Sequence, residues 1–386
     1  MSAAAPPPPP PLPTSESTRD HRGLVQLWLL GIIGFAVILF LLVQARFLLI
    51  SLVVAIILFS LTSDVIRWVA GLRVAGLRVP PFLASLVALV IIGTVMLALA
   101  ALIISQANTI VVMILQYAEP AQRATAQLFA WMGEDVEAAM LNSMQQFAIA
   151  DYLRALAGQA GNLMSAVVLI VLFVGFLFAE RLFFSAKLTN LFGDPLQAQR
   201  AERIIGSIIH RVNRYLLVKT LVSGVTGALA FAAMTAFGLE LALAVGVLTF
   251  VLNFIPNVGS IVATIIAALV GYVQTGDTVL ALGLLAVLTS IQFVVGMVLD
   301  PLLLGRALRL SSFGILLSLA FWAAVWGVAG MFLAVPIMVA VMIVCAHVEG
   351  LRPFAVLLSR DGVPDTRPTL DGAAPQKAPV RPEVRA

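Results

Sequence analysis

The sequence predicts an all-α polytopic membrane protein of about six to eight transmembrane helices, with two broken or re-entrant helical hairpins arranged as an inverted repeat. Three observations carry this reading. Of the 386 residues, 61% are hydrophobic and only 11% charged, with a mean hydropathy of +1.06. A soluble chain of this length could not keep so much apolar surface from water. Several runs reach the roughly 18–20 apolar residues needed to cross a bilayer core. Alternating segments of about ten residues, the mark of a membrane β-barrel, do not occur in the sequence.

Taken in order, residues 1–22 contain "PPPPPPLP" from Pro6 and read as a disordered cytoplasmic tail of polyproline-II type, a PxxP docking segment being the alternative. Residues 23–106 read as N-terminal transmembrane helices. Their first apolar run is longer than a signal-peptide core and is followed by more membrane, so it is a retained helix. Further spans fall at about 47–63 and 81–106. Residues 107–160 place Leu128, Met132, Val136, Met140, Met144 and Phe147 at helical spacing, with Glu134, Asp135 and Glu137 between them. This pattern predicts an extracytoplasmic amphipathic helical region, lying on the membrane or against a partner.

Residues 161–218 read as a transmembrane helix plus a cytoplasmic interfacial helix. In the latter, Ile204, Ile205, Ile208, Ile209, Val212, Tyr215 and Leu216 form one face and Arg200, Arg203, Arg211 and Arg214 make the other basic. Residues 219–347 read as a C-terminal transport core with two broken hairpins. Residues 348–386 read as a basic disordered cytoplasmic tail.

Lysine and arginine placement sets the orientation. With the N-terminus inside, 20 of the 23 basic residues fall on the cytoplasmic side, leaving Arg46, Arg123 and Arg154 outside. Both termini are then cytoplasmic. The same excess accounts for the net charge of +4 and pI near 9.6. No aromatic-interleaved basic patch accompanies it, so nucleic acid is not an expected partner. Cys345 is alone, and His21, His210 and His347 lie far apart in the sequence, so neither a disulfide nor a metal or other cofactor is expected.

Parity makes the core informative. A span at 219–238 is followed by an apolar run at 239–275, entered from outside and interrupted at "NFIPNVGS" from Asn253. A span at 278–299 is followed by a run at 311–347, entered from inside and interrupted at "WGVAG" from Trp326, with Pro336 beyond. Each broken run starts and ends on one side of the membrane, as two spans or as a re-entrant hairpin. Charge counting does not separate those.

Paired Gly/Pro-interrupted segments at corresponding positions of two halves point to a secondary transporter's binding site. Unwound backbone survives in hydrocarbon only where it is buried in protein or lines a wet cavity. The candidate substrate site is therefore Asn253, Pro256, Asn257, Gly259, Ser260, Gln292, Gly327 and Gly330. The plainer readings are interhelical asparagine contacts, a hairpin turn at the membrane surface, and a lone amide at Gln292 joining helices.

"YLLVKTLVSGVTGAL" from Tyr215, "NFIPNVGS" from Asn253, "DPLLLGRALRLSS" from Asp300 and "LLSLAFWAAVWGVAGMFLAVPIMV" from Leu316 together resemble the C-terminal signature of the autoinducer-2 exporter family. The resemblance covers about 215–347; the N-terminal half agrees only in layout. It implies a bacterial inner-membrane exporter of a small-molecule quorum-sensing signal, working as a homo-oligomer in the lipid bilayer. Some members of that family are described as sodium(lithium)/proton antiporters.

No nucleophile elbow, HExxH or Walker loop occurs in the sequence, so an enzyme or ATPase is not expected. Ion coupling needs a titratable group in the membrane. Asp300 is the candidate, with a helix-end carboxylate at the cytoplasmic interface as its plainer reading. Glu240 and Asp277 read as interfacial, Glu180 as a partner of Arg181, and Lys219 as snorkelling to the surface. No span has a central carboxylate, which favours export of a small, polar, largely uncharged metabolite. A sodium(lithium)/proton antiporter using Asp300 and a non-transporting membrane scaffold are the alternatives.

Overall fold

The structure is a computed structural model that describes residues 15–70, 73–74, 77–78, 83, 85–106, 149–304, 310–360 and 362. Most of the expected 107–160 amphipathic region, the Pro-rich residues 1–14 and the C-terminal residues 363–386 lie outside the described residues. What is described is almost entirely helical. A two-residue antiparallel pairing, β1 (Arg73–Val74) with β2 (Leu77–Arg78), is the one small sheet among the described residues. Six helices are long and apolar enough to cross a membrane by length and composition, and the bent pair at the N-terminus brings this to as many as seven.

Helix α1 (Ser15–Gln44) and α2 (Arg46–Ala70) meet at Ala45. Their apolar stretches are bent by 81°. Because α1 starts at Ser15, it takes in residues 15–22, which the sequence placed in the tail. Helix α3 (Ser85–Gln106) and α4 (Ile149–Glu180) complete an N-terminal group. Its core is Ala55 on α2, Ala88 and Ile92 on α3, and Ile170, Val174 and Phe178 on α4. Phe59 and Phe178 meet edge to face at 5.0 Å. Opposite faces of these helices leave large apolar side chains such as Val90 and Phe176 exposed, as a lipid-facing helix requires.

After a short helix α5 (Phe184–Phe192), the chain runs through α6 (Pro195–Ala236), a helix of 42 residues. Asp194 caps its start, accepting from the Leu196 amide at 2.9 Å, and Pro195 fills the first turn, where its missing N–H costs nothing. At 1.5 Å per residue α6 is about 63 Å long, twice a hydrocarbon core. The expected interfacial helix and the expected 219–238 span are therefore one continuous rod. Its predicted basic face needs correcting at one residue: Arg211 is buried, beside Asn213, whose side-chain oxygen accepts from the buried Ser60 hydroxyl of α2 at 2.8 Å. Packing against α2 covers the Asn213 side of the rod.

The core follows. Helix α7 (Ala242–Leu252), a five-residue turn and α8 (Val258–Thr275) form the first hairpin. Helix α9 (Thr278–Val294) passes through a π-helical segment, Val295–Leu299, into α10 (Asp300–Leu304). The run Ser312–His347, here α11, contains a non-helical residue, Gly327 at φ 65°, ψ −141°. It is not one rod. The Ser318 hydroxyl donates to the Ala334 carbonyl at 2.8 Å, although 16 residues of straight helix would separate them by about 24 Å. The two arms lie side by side, and α11 is the second hairpin.

The arms of the first hairpin differ in length: α7 has 11 residues and reaches about 16 Å, half the hydrocarbon thickness, whereas α8, with 18 residues, is long enough to cross. The 348–386 tail also needs correcting at its start. Helix α12 (Arg352–Leu358) packs back, with Ala355 and Leu358 buried and the Ser311 amide donating to the Leu358 carbonyl at 2.9 Å. The apolar run "PFAVLL" is enough to hold this segment against the protein.

Candidate functional site

The first hairpin is held on α6 by an approach that only small residues allow. A Cβ added to Gly227 would lie 2.8 Å from the Gly246 carbonyl oxygen, and one added to Gly246 would lie 2.9 Å from the Phe231 Cβ. Close backbone contact of this kind drives association of helices in lipid. Beside it, Asn253 is buried and donates from Nδ2 to the hydroxyl of Ser223 on α6 at 3.1 Å. Asn253 thus serves as the interhelical contact that was the plainer reading of that residue.

The turn itself is strained. The Val258 amide donates to the Pro256 carbonyl at 2.7 Å, closing a γ-turn on Asn257. Asn257 sits at φ 61°, ψ −51°, the one non-glycine residue at positive φ among the described residues. This γ-turn geometry is rare and costs of order 1–3 kcal/mol. Asparagine tolerates positive φ better than most residues, and here its side chain is exposed at the tip. The Ser260 hydroxyl donates to the Asn257 carbonyl at 2.9 Å. Gly259 lies so close to the end of α7 that an added Cβ would be 1.7 Å from the Leu252 carbonyl oxygen.

The second hairpin repeats the device. Gly327 takes up the sharp reversal, in a region close to one that only glycine occupies freely. A Cβ added to Gly330 would be 1.9 Å from the Trp322 carbonyl oxygen. Each hairpin closes by laying a glycine on a carbonyl of the preceding arm. The Trp326 indole then donates to the Leu42 carbonyl at 3.0 Å, fastening this tip to the end of α1.

The hairpins touch each other. Phe254, in the first turn, stacks on Phe332, just beyond the second, with centroids 5.2 Å apart. Around them Ile255, Leu319 and Ala334 form a buried cluster with Trp322 and Met331 at its edge. Of the sequence-predicted residues, Asn253, Pro256, Asn257, Gly259 and Ser260 thus share one turn, while Gly327 and Gly330 shape its neighbour. Gln292 stands apart: it is half-buried on α9, and its side chain makes no hydrogen bond among the described residues. Ser223, Phe254 and Phe332 were not read from the sequence, because each acts through a partner tens of residues away.

Asp300 departs from its helix-end reading. The helix does not stop there. The Asp300 amide bonds to the Val295 carbonyl, five residues back, and the chain stays helical through Pro301. A proline removes a donor and crowds the carbonyl four residues earlier, and a widened π-turn absorbs both effects. Nor does Lys219 snorkel. Its side chain is 6% exposed, and Nζ lies 3.3 Å from Asp300 Oδ2. Asp300 Oδ1 is buried with no hydrogen-bond partner among the described residues. Glu180, read as a partner of Arg181, pairs instead with Lys187.

A sequence profile described as AI-2E family transporter matches residues 29–350. The chain belongs to the AI-2E transporter family. Within it, the "AI-2 transport protein TqsA" of Escherichia coli (strain K12) is 33% identical over 314 residues, which is 80% of this chain and 87% of that protein. A provisionally named transport protein of Borreliella burgdorferi is 35% identical over 198 residues, 50% of this chain and 54% of its own length. The similarly named YhhT of E. coli K12 is 28% identical over 231 residues, 59% of this chain and 64% of that protein. The match to the AI-2E family takes in the N-terminal helices as well as both hairpins, so the resemblance of 215–347 extends across most of the protein. An AI-2E transporter with this many apolar helices is a multi-pass membrane protein.

Proposed function

We propose that this AI-2E transporter exports a small, polar, largely uncharged metabolite of the autoinducer-2 kind across the bacterial inner membrane. Transport is secondary, without ATP hydrolysis, and both termini are cytoplasmic. The observation that carries the reading is the meeting of two glycine-closed hairpins at Phe254 and Phe332. Interrupted helices that meet inside the membrane present backbone donors and acceptors, which hydrocarbon tolerates only beside protein or a wet cavity.

The polar groups of the first turn suit a polyol-like ligand. The Asn257 amide both donates and accepts, the Ser260 hydroxyl is one turn away, and the Pro256 and Asn257 carbonyls lie beside them. None of these groups is charged. The strained Asn257 peptide fits a segment that changes shape when it takes up ligand. Asn253, already bonded to Ser223, positions the turn. The name of TqsA supplies the substrate class.

Efflux of autoinducer-2 from loaded inverted vesicles tests the assignment. Asn257→Ala and Ser260→Ala are expected to lower the initial rate at least tenfold at unchanged protein level. Wild-type rates in both variants would remove the first turn as the site. A wild-type protein that moves other small polyols but not autoinducer-2 would keep the site and change the substrate.

A further inference from the structure

The pairing of Lys219 with Asp300 joins residues 81 positions apart and brings two opposite charges into a largely apolar core. The ammonium is almost fully buried and the carboxylate is 25% exposed. A charge placed there alone would cost several kcal/mol, and each side chain gives the other an opposite partner. The contact at 3.3 Å is longer than a tight charge-assisted bond of about 2.7–2.9 Å. It also uses one carboxylate oxygen and leaves Oδ1 buried with no hydrogen-bond partner among the described residues. A carboxylate with one oxygen on a cation and the other unfilled, on a π-turn of an interrupted helix, has the makings of a small-cation site. Ion-coupled carriers neutralise such a carboxylate with an ion from solution. Here the cation is covalently tethered.

We propose that Asp300 is a monovalent-cation site whose resident cation is the ammonium of Lys219, so that the core is neutral without a sodium ion or proton from solution. Of the described elements packed against Asp300, the π-segment Val295–Leu299 carries no titratable side chain, and α6 presents Lys219 with the Tyr215 phenol in electrostatic reach. Transport of an uncharged solute through such a core is driven by the solute's own gradient. Removing Lys219 exposes the latent site, and the chain becomes dependent on a cation it did not need before.

The inference does not rest on the substrate assignment, and its test uses no substrate. The full chain in nanodiscs is melted in sodium chloride and in choline chloride at equal ionic strength and fixed pH. The wild type is expected to melt at the same temperature in both. Lys219→Met is expected to melt lower in choline and to recover saturably with sodium, by about 5 °C at a hundredfold excess over its dissociation constant. If recovery in choline instead follows a fall in pH, the latent ligand is a proton rather than sodium. Lys219→Met/Asp300→Asn is expected to ignore both.

A wild-type chain that sodium stabilises, with the effect lost in Asp300→Asn, would overturn the proposal. So would a Lys219→Met chain indifferent to both sodium and pH. If Lys219→Met is not recovered from membranes, the exchanged pair Lys219→Asp/Asp300→Lys decides. It is expected to fold and to remain sodium-insensitive, and failure of either part counts against the proposal.

Discussion

Phe254 and Phe332 stack with their planes 18° apart, and Phe250 closes on Phe254 edge-first at 5.5 Å. Each phenylalanine lies within a few residues of a helix break, one in each hairpin. The stack therefore couples two segments that share no stretch of sequence, and a shift of one turn changes the packing of the other.

Replacing Phe254 or Phe332 by Ala is expected to destabilise the protein by about 2–4 kcal/mol each, since both rings are partly buried among apolar neighbours. The double variant should fall short of the sum by about 0.5–1.5 kcal/mol, the usual worth of an aromatic pair. Denaturant unfolding in detergent micelles measures the cycle. Strict additivity would mean that the stack transmits nothing between the hairpins.

Gly259→Ala and Gly330→Ala are expected to be the most damaging small changes in the chain. Each puts a methyl group within 2 Å of a carbonyl oxygen, and relief requires the hairpin to open. Losses above about 3 kcal/mol follow from overpacking against backbone. Little folded protein should reach the membrane fraction. Gly224→Ala, on α6 with open space around it, is the control and should express normally.

Asn257→Gly is expected to stabilise the protein while harming transport. Glycine adopts φ 61° without the steric cost that asparagine bears, and part of that gain is offset by the freer unfolded chain. A net gain of about 0.5–1 kcal/mol should appear as a higher melting temperature. Efflux should fall because the amide is gone. Reduced stability would mean that the asparagine side chain, rather than ligand binding, justifies the strained turn.

Some of this was legible in the residues and some was not, for reasons of range. "NFIPNVGS" and "WGVAG" announce their breaks because proline, glycine and asparagine act on the backbone where they stand. Apolar run length gives the spans for the same reason. The pairing of Lys219 with Asp300 is invisible in sequence, since each residue alone reads as a boundary charge and only the fold brings them together. Asn253 is the middle case: its polarity marks it, but binding and bracing look alike until Ser223 is seen opposite. The exposed-face reading of Arg211 failed because periodicity describes one helix and knows nothing of what packs against it.

The bond from the Trp326 indole to the Leu42 carbonyl has a consequence in time. Leu42 lies in the last turn of α1, where a helix leaves its carbonyls without intrahelical partners. Its donor is 284 residues further along the chain. At ribosomal speeds of about 5–20 residues per second, α1 emerges roughly 15–60 s before that donor is made. During this interval the Leu42 carbonyl must be bonded to water or to some other temporary partner. The α1–α2 elbow meanwhile keeps its local bonds, from the Ala45 amide to the Leu41 carbonyl and from the Leu49 amide to the Ala45 carbonyl. The N-terminal helices therefore enter the bilayer as a half-finished socket, and synthesis of the second hairpin supplies the plug.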